Sequence, residues 1–309
     1  MSNLSWLCIG LAVVVVLGLY RWYSYWSYHA RKFSQSGYMA PKTTWAGKVF
    51  MNLSTRLLTF LTVGPVKVVN GHKSPKSGRT VYIGNHQMPC DFAMLRRGAG
   101  RHFRTLTSAK ELKGFFGVLG AWSGVISIAF KEKADRAAAQ DSCVLTVTEE
   151  NGCLGIFPEG NLLPDNPELN ERWLPGAVRI ARAASANAGG APVNIVPIAL
   201  YYEQDPQKAS WSQRFLKRNK WLGKRDPRNW DPVFKLDLEK MGADEKARVE
   251  KERAEKLKEY YRSHVTLYGG VVVVGDPIEV STLPSNEDEA SSVLRDKVRE
   301  LLAEAKKHS

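Results

Sequence analysis

Asn85-His86-Gln87-Met88-Pro89-Cys90-Asp91 sets an imidazole five residues before a carboxylate, directly behind the apolar run Val81-Tyr82-Ile83. A histidine whose ring is held by a carboxylate can take a proton from a hydroxyl, so the pair suits general-base chemistry. Five residues amount to about 140° around a helix, so His86 and Asp91 would not share a helical face. Pro89 also disfavours helical backbone at the residue before it. A turn that folds Asp91 back onto His86 is the useful geometry. The competing reading is an Asn-His turn followed by an aspartate that caps a helix. A second acid, Glu159, stands in Ile156-Phe157-Pro158-Glu159-Gly160, again behind an apolar run. Gly160 would allow close backbone approach by a ligand. Cys90 is a candidate nucleophile, but no independent base accompanies it, and a small buried residue is its ordinary role.

These groups need elements that bring them together. Open α/β sheets bind ligands at the carboxyl ends of their strands, so parallel strands leading into His86 and Glu159 would put both on one edge. Apolar runs at 80–84, 124–130, 153–157, 193–200 and 265–274 read as strands. Helical patterns at 134–150, 176–188, 237–264 and 286–307 alternate with them. The alternation predicts an α/β fold with a mostly parallel central sheet flanked by helices. No internal repeat and no second hydrophobic core is visible, so 65–309 reads as one domain with a basic insertion at 204–232.

The amino end reads differently. Trp6 to Tyr20 is nearly all apolar and runs into Trp22, Tyr23, Tyr25, Trp26 and Tyr28, followed by Arg31 and Lys32. An aromatic belt and then cations mark the end of a membrane helix. Residues 1–35 are therefore expected to be a single-pass N-terminal membrane anchor, with the catalytic domain on the cytoplasmic side. A cleaved signal peptide fits less well, because no Lys or Arg precedes the apolar run and bulky aromatics occupy the cleavage region. Residues 36–64 place Val49, Phe50, Leu53, Leu57, Leu58 and Leu61 near helical spacing, which suits an interfacial helix or a core helix equally. The 44 Lys and Arg against 31 Asp and Glu leave a net charge of +13, suited to an anionic membrane surface or nucleic acid. Nucleic acid explains neither the apolar segment nor the acid-and-histidine blocks, so it is not expected as a partner. Four cysteines without CxxC or Cys/His spacing point to a reduced compartment and to no structural zinc.

Taken in order, the blocks resemble the glycerolipid acyltransferase family. Asn85, His86 and Asp91 match its Asn-His-x4-Asp block, Phe157 to Gly160 its Phe-Pro-Glu-Gly, and Val196-Pro197-Ile198 its Val-Pro-Ile-like strand. Ala109, Lys110, Leu112, Phe116 and Gly117 fit the segment between, and Gly275-Asp276-Pro277-Ile278 the closing turn. The sequence departs where the family carries two arginines: position 130 is Phe, followed by Lys131, and Asn161-Leu162-Leu163 replaces Thr-Arg-Ser. Those arginines are expected to grip an acceptor phosphate, with Lys110, Lys131, Lys133, Arg136 and Arg172 as candidate replacements.

The resemblance implies transfer of a fatty acyl group from acyl-CoA or an acyl-carrier protein to a lysophospholipid or related lipid hydroxyl. His86 would be the general base and Asp91 its orienting partner. Asn85, Lys110, Phe157, Pro158, Glu159 and Gly160 would bind substrate, with Glu159 orienting the acceptor or a cation and backbone N–H groups near Gly160 meeting the oxyanion. No metal and no cofactor beyond the thioester co-substrate is implied. A neutral or aminolipid acceptor stays open because of Phe130 and Leu162. So do a lapsed lipid-binding protein and a hydrolase, although the latter lacks a Gly-x-Ser-x-Gly elbow. The remaining histidines, His29, His72, His102, His264 and His308, have no comparable partner in sequence and are expected at the surface.

Overall fold

A computed structural model describes residues 3–88, 91–129, 133–160, 169, 173–203, 207, 232–264 and 267–309. The side chains of 3–5, 7–12, 115, 240 and 258–264 lie outside that description. So do Cys90, Phe130, Lys131, Asn161 to Leu163, Arg172 and nearly all of 204–232, and with them the readings made there.

The elements run α1 (Asn3–Arg31), α2 (Trp45–Thr62), β1 (Val66–Val69), β2 (Arg79–Gly84), α3 (Asp91–Ala99), β3 (Arg104–Ser108), α4 (Gly114–Ser123) and β4 (Ile126–Ile128). There follow α5 (Lys133–Thr148), β5 (Cys153–Ile156), α6 (Gly176–Asn187), β6 (Val193–Glu203), α7 (Ala243–His264), β7 (Gly269–Val274), β8 (Ile278–Glu279) and α8 (Glu287–Lys307). The strands form one sheet ordered β1-β7-β6-β2-β5-β3-β4, with β8 paired to β6. From β6 to β4 every neighbouring pair is parallel, while β7 runs against β6. The α/β fold with a mostly parallel sheet is therefore as expected.

β2 lies in the middle of the sheet and is buried from Thr80 to Gly84, the continuous burial of a parallel strand covered on both faces. Its period of two divides the core. Val81 and Ile83 join Leu154, Ile195 and the inner faces of α5, α6 and α8, whereas Tyr82 joins Met94, Phe103, Val196 and Ile198 beneath α3. The closing turn touches the fourth block, because Gly275 N–H donates to the Pro197 carbonyl at 2.9 Å. Asn286 caps α8 by accepting from the N–H groups of Asp288 and Glu289, with acids in its first turn and lysines in its last.

Boundaries shift where local geometry overrules apolarity. The stretch read as a strand from 124 starts only at Ile126, because Gly124, at φ +77°, ends α4 in the left-handed conformation. β6 runs three residues past the expected end, to Glu203. The helix expected from 237 starts at Ala243, since Asp237 instead caps a short 3₁₀ turn by accepting from Glu239 N–H.

The amino-terminal helices depart most from expectation. A separate apolar cluster, not foreseen in the sequence, joins Trp26 and Phe33 to Leu112, Val118, Ala121 and Val125 around α4. Trp22 meets Trp122 edge-on at 5.0 Å. Part of the aromatic belt thus faces protein, while Val13 to Leu17, Leu19 and Tyr20 are exposed. No helix among the described residues is long and apolar enough to cross a membrane. α2 is inverted: it buries Gly47, Met51, Thr55 and Thr59 and exposes Trp45, Val49, Phe50, Leu53, Leu57, Phe60 and Leu61. Its threonines satisfy themselves within the helix, Thr55 Oγ1–H donating to the Met51 carbonyl at 2.7 Å. The core-helix alternative for 36–64 is therefore wrong in its orientation, for the large apolar side chains point out.

Candidate active site

The site begins with the parallel pairing of β2 to β5 and β6. Ile83 sits opposite both Ile156 and Pro197, so the chain after β2 and the chain after β5 leave neighbouring strands at one carboxyl edge. Asn85 then continues the β2–β6 ladder with its side chain. Its Nδ2–H donates to the Leu200 carbonyl at 2.9 Å, and its Oδ1 accepts from Leu200 N–H at 2.8 Å. The residue is 1% exposed, so its amide holds the two strand ends in register and aims the next residue. Gly84 keeps this junction tight, since a Cβ there would stand 3.1 Å from the Ile198 carbonyl oxygen and 3.2 Å from Leu95.

His86 follows at the edge and remains 23% exposed in its side chain. Its Nδ1–H donates to Asp91 Oδ2 at 2.9 Å. The loop folds back as expected, and it wraps the carboxylate: Gln87 N–H and Met88 N–H donate to the same oxygen at 2.6 and 2.8 Å. Tyr202 O–H donates to Oδ1. Asp91 is completely buried at the start of α3, and four donors converge on it. A carboxylate can only accept, so the arrangement fixes the imidazole with its proton on Nδ1 and leaves Nε2 for an incoming proton. The two readings of the motif merge here, because the aspartate that opens the helix is also the partner of the histidine. Phe157 stacks on the imidazole, with ring centroids 4.4 Å apart and planes 11° apart, so the ring plane is fixed from a second side.

Glu159 is only 4% exposed, and among the described residues its Oε1 has no hydrogen-bond partner. Burial pushes its carboxyl up to about 7, opposed by a hydrogen bond from the His86 backbone N–H and assisted by the charge of Asp91. The residue expected to orient an acceptor or a cation thus also braces the backbone of His86. Gly160 owes its place to a turn: at φ +69° its N–H donates to the Phe157 carbonyl at 3.1 Å. That N–H is engaged, so an oxyanion donor near Gly160 would have to be another backbone N–H. Pro158 is buried, and its carbonyl accepts from Leu174 N–H at 2.9 Å.

The structure therefore gathers Asn85, His86, Asp91, Phe157, Pro158, Glu159 and Gly160 at one edge. Lys110 lies in the turn after β3, on the same carboxyl edge but exposed, and none of the hydrogen bonds or ion pairs described joins it to the others. Lys133 and Arg136 are exposed in the first turn of α5, just beyond β4. Tyr202 was missed. It stands two residues past the expected end of β6, and in sequence a Tyr in an apolar run reads as core; the signal was its place on the strand next to β2. His102 corrects the expectation for the other histidines. It is partly buried, its Nδ1 accepts from Arg96 at 2.8 Å, and burial with that guanidinium lowers it to about 3. Among the cysteines, Cys143 and Cys153 are buried free thiols, and burial pushes Cys153 up to about 11, which leaves it inert.

An accessible imidazole, locked by a buried carboxylate at the edge of a parallel sheet, can take a proton from a hydroxyl. Residues 65–201, from the lead into β1 through both acid-bearing loops to β6, match the model of the family described as Acyltransferase. The chain is an acyltransferase. The matched stretch contains the blocks from Asn85 to Val196-Pro197-Ile198 on which the chain resembles the glycerolipid acyltransferases. No curated protein matches it in sequence. Among solved structures it is similar to the 1-acyl-sn-glycerophosphate (LPA) acyltransferase PlsC from Thermotoga maritima, at a TM-score of 0.48 and 14% identity, over 84% of this chain and 79% of that one.

Proposed function

We propose that the enzyme moves a fatty acyl group from a thioester, acyl-CoA or acyl-carrier protein, to the hydroxyl of a lysophospholipid or related glycerolipid. The observation that carries this reading is the His86–Asp91 pair, with Nδ1–H on the carboxylate and Nε2 left for the hydroxyl. The acceptor oxygen attacks the thioester carbonyl as its proton passes to Nε2. Asp91 stabilises the imidazolium that forms. The tetrahedral intermediate then collapses, the C–S bond breaks, and the leaving thiolate takes the proton back from Nε2. No covalent enzyme intermediate is required.

The same proposal places the enzyme on a membrane, with α1 as anchor, α2 against the lipid surface and the catalytic domain on the cytoplasmic side. The outward apolar face of α2, the exposed run from Val13 to Tyr20 and the net charge of +13 support it.

An acceptor panel tests the reaction. Purified enzyme with one acyl-CoA should acylate lysophosphatidic acid or another lysophospholipid. Transfer confined to neutral acylglycerols or aminolipids would overturn the acceptor class, and thioester hydrolysis indifferent to acceptor would overturn the transfer itself.

A further inference from the structure

Between the carboxyl end of α2, the start of β1 and the end of α3 lies an open cleft of about 370 Å³. Two guanidinium groups, Arg56 and Arg97, line it together with Phe60, Pro65 and Val66. Among the described residues no carboxylate lines the cleft, and neither arginine has a hydrogen bond or an ion pair. α2 carries no acidic residue anywhere along its length. The two groups sense one another, since burial and then the charge of Arg56 lower Arg97 from its ordinary value. Two like charges converging on an open cleft are repulsive until an anion is placed between them. Guanidinium groups match phosphate oxygens in charge and in their paired N–H geometry.

The position of the cleft narrows what that anion can be. On α2, Arg56 sits at the margin of the outward apolar face, one turn from Phe60 and Leu53 and next to Leu57. Phe60 is 43% exposed, Leu53 61% and Leu57 59%, exposures normal for neither a core helix nor a solvated one. A ligand that puts a phosphate between the arginines and hydrocarbon along this face satisfies both features at once. We infer that the Arg56–Arg97 cleft binds the headgroup of an anionic phospholipid whose acyl chains lie along the outward face of α2. The site is distinct from the His86 edge, and it rests on the membrane placement proposed above. It would hold the enzyme on an anionic leaflet in a fixed orientation, with the carboxyl edge of the sheet beside the bilayer. That follows from topology, because β1 starts at the edge where β6 ends.

The test uses the full chain in neutral detergent, titrated with water-soluble dihexanoylphosphatidylglycerol while binding is followed by calorimetry. R56Q/R97Q should bind this lipid at least about tenfold more weakly, whereas the charge-matched K306Q/K307Q on α8 should match the wild type. R56K/R97K, which keeps the charge and loses the paired geometry, should fall between, and it preserves the test if the Gln variant unfolds. Dihexanoylphosphatidylcholine should bind weakly and equally to all of them. His86→Ala should bind phosphatidylglycerol as the wild type does, so failure of the acyl-transfer reading and failure of this site are told apart. Equal affinity of wild type and R56Q/R97Q would overturn the inference. So would displacement of the lipid by CoA or inorganic phosphate at matching concentration, which would make the cleft a site for the phosphates of the donor or for any free phosphate.

Discussion

Asp91 and Glu159 stand at the same sheet edge, one behind β2 and one behind β5, and both are buried, yet the protein treats them in opposite ways. Asp91 is met by four donors: an imidazole, two backbone N–H groups and a tyrosine hydroxyl. Glu159 has the His86 backbone N–H and an Oε1 with no partner among the described residues, and burial raises its carboxyl to about 7. Burial alone therefore does not define a carboxylate's role; the number and kind of donors around it do. The first is tied by all its donors and holds the imidazole that the proposed mechanism uses as base. The second is a proton-holding brace under the backbone of the same residue.

The strongest way to break this contrast is to change the donor set around Asp91. Asp91→Asn keeps the shape but presents an amide to the imidazole, which favours the wrong tautomer. The expected cost is on the order of 10⁴ in kcat, read from initial acyl-transfer rates with KM little changed. Near wild-type turnover would remove Asp91 from the mechanism. Tyr202→Phe is gentler, deleting one of four donors. A lost buried hydrogen bond of this kind is worth about 1–3 kcal/mol, so stability should fall by that amount and kcat by roughly tenfold. Urea unfolding and steady-state kinetics on the same preparation measure both.

Glu159→Gln sharpens the contrast from the other side, through pH. The Glu159 carboxyl is raised from 4.5 to about 7 in the folded protein, so between those values the folded state holds a proton that the unfolded state has released. Stability contributed by this group is therefore highest below pH 4.5 and declines as pH rises towards about 7, by on the order of 3 kcal/mol in all. Glu159→Gln removes that decline. Its stability advantage over the wild type should be small near pH 5 and larger near pH 8, as chemical denaturation at the two values would show. A constant difference across the range would mean that Glu159 is charged in the folded protein.

Much of this site was legible in the sequence because its parts sit where strands stop. Apolar runs ending in Asn85-His86 and in Phe157-Pro158-Glu159 placed both loops on one edge as soon as parallel pairing was expected. The roles of individual residues were less legible, because they depend on partners distant in sequence. Asn85 reads as a group offered to substrate until Leu200, across the neighbouring strand, is seen to hold its amide. Tyr202 is hidden for the same reason. α4 was missed because glycines at 114, 117 and 120 argue against a helix. Two of them are there for packing: a Cβ at Gly117 would stand 2.7 Å from the Leu112 carbonyl oxygen, and one at Gly120 2.7 Å from the Leu112 side chain. Close approach to neighbouring chain outweighed intrinsic propensity. α2 shows the reverse case. Its periodicity was plain in the sequence, but which face turned inward depended on small and hydroxylated residues packing where leucines would be expected.

Replacement of His86 by alanine tests the central claim most directly. Acyl transfer from a labelled acyl-CoA to the acceptor found in the panel should fall by on the order of 10²–10⁴ while the thermal unfolding transition stays in place, since His86 is partly exposed and Asp91 keeps three of its donors. A His86→Ala enzyme that folds normally and transfers acyl groups at a rate close to wild type would contradict the account.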